Sequence, residues 1–132
     1  MTNMADPKKK LDEVMNTPDK TSEYAKSEID GGKIMGVLSY LGILVLIPLF
    51  LAKDSKYARF HTNQGLTLFL IELIGLGVLG IVAKIPLIGW IGSIAQSLLG
   101  LACVVLAIIG IINVANGRAK ELPVIGGIKI LK

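Results

Sequence analysis

The feature that most constrains this chain is the run from Ile34 to Ala52, 19 residues without a formal charge. At the helical rise it measures about 29 Å, close to the thickness of a bilayer's hydrocarbon core. Two more apolar runs follow: Leu66–Ala83, charged only at Glu72, and Ile85–Gly117, which has no charge in 33 residues. A soluble helix of such length shows one polar face, whereas Ser39 and Tyr40 are the only polar side chains of the first run. The pattern predicts an all-α membrane protein with three transmembrane helices, at about 34–52, 66–83 and 93–113. Pro48 removes a backbone donor and predicts a kink near the end of the first. Two crossings and a turn need roughly 40 residues, so one crossing with an interfacial lead-in is expected in 85–117. A helical hairpin there is the alternative.

Interfacial segments are expected at 54–64, 85–92 and 121–131. The first lies in Lys53–Gly65, KDSKYARFHTNQG, the one markedly polar interruption of the apolar part. Asp54 or Ser55 suits the N-cap of a helix, and Tyr57 and Phe60 suit the headgroup zone. Lys56, Arg59, Phe60, His61, Asn63, Gln64 and Gly65 form a candidate interfacial motif. Its donors suit lipid phosphates, a partner, or the ends of neighbouring helices. In the second segment Trp90 is an interfacial anchor, and the third is too short to span and alternates Ile with Lys. Ile85–Ile91 and Leu122–Ile128 share the pattern [IL]-P-[LV]-I-G-x-I. They read either as two elbows of common shape or as plain Pro/Gly punctuation of helix ends.

Residues 1–33 hold 6 of the 14 Lys/Arg and 7 of the 10 Asp/Glu, with no sustained apolar period. They read as a disordered, charged tail ahead of a polytopic domain over 34–132. No apolar stretch follows Lys8–Lys10, so the tail is expected to be retained rather than cleaved as a signal peptide. Residues 34–132 carry 8 basic and 3 acidic side chains beside apolar runs, which favours anionic lipid headgroups over nucleic acid. With three crossings, Lys20, Lys26, Lys33 and Lys84 share one side. Lys53, Lys56, Arg59, Arg118, Lys120, Lys129 and Lys132 share the other, which places the 53–65 corner and the C-terminus in the cytoplasm of a multi-pass plasma-membrane protein.

Glu72, Gln96 and Asn113 are the candidate intramembrane polar groups, and a carboxylate at such depth must face protein or water. Ser93, Gln96, Gly100, Cys103, Ala107 and Gly110 recur at steps of 3 and 4, a seam of small or polar side chains. Small residues let helices approach closely in lipid, so the seam reads as a packing face or an oligomer contact. Catalysis has no support: His61 is the only histidine, the serines lack a base, and no G-x-S-x-G occurs. Cys103 is the only cysteine, so neither a disulfide nor a cysteine-based metal site is expected, and no cofactor. Gly75–Gly80 matches G-x-G-x-x-G in the middle of an apolar run, where the motif has no strand to follow.

Ser39–Gly42, Lys53–Gly65 and Gly117–Pro123 resemble small bacterial membrane proteins grouped as a domain of unknown function and related to the Tic-type import component of the chloroplast inner envelope. The A-R-F-H-x-N-Q-G corner is the most specific part. The resemblance implies a helical integral membrane protein and, for the plastid members, a place in a protein-conducting complex. The plastid proteins are thought to cross four times, against three counted here. The expected role is a non-enzymatic small subunit or scaffold of a membrane assembly, translocation-related by resemblance. A homo-oligomeric channel or transporter subunit around Glu72 is the alternative.

Overall fold

The computed structural model describes residues 7–131, and every regular element in them is helical. Helix α1 covers Pro7–Met15, α2 Lys26–Leu38, α3 Leu46–Leu51, α4 Lys56–Val82 and α5 Gly89–Ala115, with single 3-10 turns at Thr21–Glu23 and Gly42–Val45. α4 and α5 form an antiparallel hairpin that turns at residues 83–88. Each has 27 residues, about 40 Å at the helical rise, and is long and apolar enough to cross a membrane. In their most apolar stretches only 17% and 22% of residues are buried, so these are not the core helices of a soluble domain.

The first apolar run is not a crossing. α2 descends beside α4, with Gly32 packed on Tyr57 and Ala58, Gly36 on His61 and Val114, and Ser39 on Gly65. It stops at Leu38, where Ser39 turns its hydroxyl back onto the Met35 carbonyl (2.9 Å). Gly42 takes φ 62°, which reverses the path, and the chain climbs back through the 3-10 turn and α3 to Ser55, again beside Gly32. Ile34–Ala52 therefore enters and leaves at one end of the hairpin. Pro48 does not kink a long helix. It sits in the first turn of α3, where no intrahelical acceptor awaits its missing N–H. The expected three crossings reduce to two helices of spanning length.

The interfacial segment 54–64 and the crossing 66–83 are one helix. Ser55 caps it by accepting the Ala58 N–H (3.2 Å), as the sequence suggests. Asn63-Gln64-Gly65 does not break it, because the two amides bond other segments and Gly65 lies against the Ser39 carbonyl, where a Cβ would collide. α5 begins at Gly89, four residues before the expected crossing and inside the expected lead-in 85–92.

Asn116-Gly117 ends α5 with both bonds of a Schellman motif, Arg118 N–H to Asn113 O (2.8 Å) and Gly117 N–H to Val114 O (2.9 Å), with Gly117 at φ 69°. The two [IL]-P-[LV]-I-G elbows share more than punctuation. Leu87 (φ 73°) and Val124 (φ 69°) are the positive-φ non-glycine residues among those described, and they occupy the same place in the pattern. Both are almost fully exposed, at 93% and 89%.

The expected tail is in part organised. Met1–Asp6 and Lys132 lie outside the described residues. From Thr17 onward the segment runs along 119–121: Lys20 N–H donates to Ala119 O (2.8 Å), Glu121 N–H to Pro18 O (3.0 Å), and the Thr17 hydroxyl to Glu121 O (2.6 Å). The N-terminal segment thus shares an end of the hairpin with the corner and the C-terminal segment, not with the 83–88 turn.

Candidate functional site

The first half of α4 is the polar centre of the molecule rather than a headgroup-facing surface. Tyr57, Ala58, His61, Thr62, Asn63, Gln64, Gly65, Thr67 and Leu68 are all buried. Four elements converge on them: α2, the end of α5, and the two chain-terminal segments. Because Gly117 reverses the chain, the Arg118 carbonyl points back at α4. It accepts from the Tyr57 hydroxyl (2.9 Å) and lies 2.8 Å from His61 Nε2. A carbonyl only accepts, so Nε2 carries the imidazole proton. Nδ1 is then the acceptor for the Tyr40 hydroxyl at 2.7 Å. The neutral ring is fully used at both nitrogens and enclosed edge-on by Tyr40, Tyr57 and Phe60. That is an imidazole built as a structural connector, with no nitrogen left for a substrate or a metal.

One turn further on, two amides hold the C-terminal segment by its backbone. Gln64 accepts the Leu122 N–H (2.9 Å) and donates to Gly126 O (3.0 Å), spanning the second elbow. Asn63 accepts from both Ile130 N–H and Leu131 N–H (2.8 Å each) and donates to Ile128 O (3.3 Å). The segment 121–131, expected along the interface, is instead tied to α4 because it has no regular structure of its own to satisfy its amides. Every buried side-chain polar atom among the described residues has a partner. Leu122 then packs with Tyr40, Leu68, Cys103 and Val114 in the apolar cluster beneath.

The rest of the candidate motif separates by exposure. Lys56 is exposed, while Arg59 and Phe60 are half-buried at the rim. Asn113 is not mid-membrane. It sits in the last turn of α5 and donates to Lys120 O (3.4 Å). Gln96 does act between helices, donating to Leu76 O on α4 (3.1 Å). Glu72 is half-buried and makes no hydrogen bond or ion pair with the described residues. Of the seam, Cys103 and Gly110 are buried, the latter under the Tyr40 ring, and Ala107 is half-buried. Gly100 faces open space and Ser93 is exposed. No group of three or more potential metal ligands occurs among the described residues.

Outside the membrane-length helices, Asp19 is held below the ordinary carboxylate value, first by the Thr21 hydroxyl and then by the Thr21 N–H (2.9 Å). Thr21 in turn accepts the Ala119 N–H (3.0 Å), which joins the two terminal segments. Sequence reasoning missed Tyr40, Ser39 and Thr62 as members of this centre.

Two lipid-length apolar helices beneath a hydrogen-bonded polar head define a helical membrane protein. Residues 32–131 match the magnetosome magnetite crystal formation protein family, MamF/MmsF, and the chain belongs to that family. It is 33% identical to the magnetosome protein MamF of Paramagnetospirillum magneticum over 93 residues, 70% of this chain and 78% of the relative. With MamF of Magnetospirillum gryphiswaldense it shares 31% over 98 residues (74% and 82%), and with MmsF of P. magneticum 31% over 92 residues (70% and 79%). No solved structure matches. The resemblance to the Tic-type import component is thereby corrected: the residues that carried it lie inside the stretch matched by the magnetosome family. The translocation role it implied falls with it.

Proposed function

We propose that the chain is a non-enzymatic subunit of the magnetosome membrane that supports magnetite crystal formation as a scaffold, with its polar head on the cytoplasmic face. The family description and the names of the relatives support the compartment, in place of the plasma membrane. The observation that carries the orientation and role is the charge asymmetry of the hairpin. With two crossings, Lys20, Lys26, Lys33, Lys53, Lys56, Arg59, Arg118, Lys120 and Lys129 lie at the head end, and among the described residues only Lys84 lies at the other. The positive-inside rule then supports the head on the cytoplasmic face more strongly than the three-crossing count of 4 against 7.

The turn facing the compartment's interior has little to offer a mineral. The sequence contains no Asp or Glu between Glu72 and Glu121, and oxygen-rich carboxylate clusters are what hard iron and other cations require. Influence on the crystal therefore runs through the membrane and its other proteins rather than through templating by this turn.

The test uses single cysteines in a Cys103→Ala background on intact isolated magnetosomes. Lys53→Cys is expected to react with a membrane-impermeant maleimide directly, and Lys84→Cys only after permeabilisation. The reverse pattern overturns the orientation. Deletion in a magnetotactic host is expected to change crystal size or number, and unchanged crystals overturn the role.

A further inference from the structure

Two hollows on the head side of α4 line up as one site. The upper is a cleft of about 440 Å³ whose walls include Lys20, Lys56, Arg59 and Lys129 against the single carboxylate Glu23, over a floor of Tyr24 and Phe60. The lower is an almost wholly apolar groove of about 410 Å³ formed by Leu70, Ile71, Ile74 and Gly75 of α4 with Ile128 and Ile130. Along α4 the two are continuous, because Lys56, Arg59/Phe60, Asn63, Thr67, Leu70/Ile71 and Ile74/Gly75 recur every third or fourth residue on one face. The C-terminal segment divides the same way. Lys129 and Leu131 face the cleft, while Ile128 and Ile130 face the groove. That alternation is fixed by Asn63, which grips the backbone of Ile128, Ile130 and Leu131.

The charges above are available. Lys129 is 3.4 Å from Glu121, but among the described residues no carboxylate lies within ion-pair distance of Lys20, Lys56 or Arg59. The dimensions below fit within one leaflet: Thr67 to Gly75 is eight residues, about 12 Å, against about 15 Å for half the hydrocarbon core.

We infer that this face of α4 is a binding site for an anionic phospholipid. The phosphate sits among Lys20, Lys56 and Arg59, and one acyl chain lies along the Thr67–Gly75 groove. The inference rests on α4 crossing the bilayer at this level. A free phosphate ion shares the headgroup chemistry but has no use for the groove, and a zwitterionic lipid fills the groove but neutralises its own charge.

The experiment compares retention of phosphatidylglycerol and of phosphatidylcholine with identical chains by native mass spectrometry of the full-length protein in detergent, with inorganic phosphate as a third arm. Phosphatidylglycerol is expected to be retained about tenfold or more over phosphatidylcholine, and over phosphate at equal concentration. The K56Q/R59Q double variant removes exposed or half-exposed charges, and each is expected to cost about fivefold in phosphatidylglycerol retention. Ile128→Trp obstructs the groove and is expected to lower lipid retention while leaving phosphate binding unchanged. Equal retention of the two lipids, phosphate competing on equal terms, or an unaffected K56Q/R59Q variant each overturn the inference. Release of the protein from membranes by alkaline carbonate would overturn the crossing itself, an outcome separable from the lipid result.

Discussion

The two halves of α4 are inside-out with respect to each other. In Lys56–Leu68 the uncharged polar side chains are buried and bonded to Ser39, Tyr40 and the 118–131 segment, while in Phe69–Val82 the apolar side chains such as Leu73, Val78 and Ile81 face outward. One helix thus obeys two solvents. Above the bilayer it needs a core and builds it from amides, hydroxyls and an imidazole that satisfy the irregular backbone around them. Within the bilayer exposed leucine costs nothing, and association depends on close approach and a rare polar bond such as Gln96 to Leu76. The contrast predicts that stability resides in the upper half.

The largest break comes at Gly65. Gly65→Leu drives a Cβ into the Ser39 carbonyl and is expected to cost at least about 3 kcal/mol or prevent folding, seen as loss of monodisperse protein. Gly77→Ala, in the lower half with no atom near its Cβ, is expected to leave thermal stability in detergent unchanged or slightly raised.

Next is the amide grip. Gln64→Leu leaves Leu122 N–H without a partner and Gly126 O with only the Lys129 ammonium (3.3 Å), a loss of about 2–3 kcal/mol with faster amide exchange at Leu122. Gln96→Leu in the lower half is expected to cost about 0.6 kcal/mol, and a larger loss there than at Gln64 would refute the contrast. Tyr40→Phe should fall between, at about 1 kcal/mol, since it withdraws only the donor to His61 Nδ1.

The smallest effect concerns the N-terminal segment. Asp19 has a lowered carboxyl value in the folded chain, so its contribution is present above the ordinary carboxylate range and is lost as pH falls below about 4. Exchange at the Lys20 and Ala119 amides should speed up there, and Asp19→Asn should abolish that pH dependence.

Much of this was legible in the residues. The membrane class follows from charge-free length, the start of α4 from Ser55, and the end of α5 from Asn116-Gly117, because each is decided locally. The re-entrant course of Ile34–Ala52 was not, since hydropathy measures what lipid tolerates and not where the chain turns. Gly42 and the packing of Tyr40 on Gly110 decide that, through contacts about 70 residues apart in sequence. The corner Lys53–Gly65 stands out as the most specific stretch, but its residues alone leave open whether its donors meet lipid phosphates, a partner or neighbouring segments. Donor-rich side chains beside apolar runs suit headgroups and suit a buried backbone equally, and only the presence of the 118–131 segment distinguishes the two.

That segment also sets an order of events. The partners of Gln64 and Asn63 lie 58 to 68 residues downstream and are made after both long helices. While α4 and α5 enter the membrane, the head's central amides and the His61 ring wait without acceptors. Closure waits until the 118–131 segment has been made, so a stop codon at Gly117 leaves an inserted hairpin with an open head.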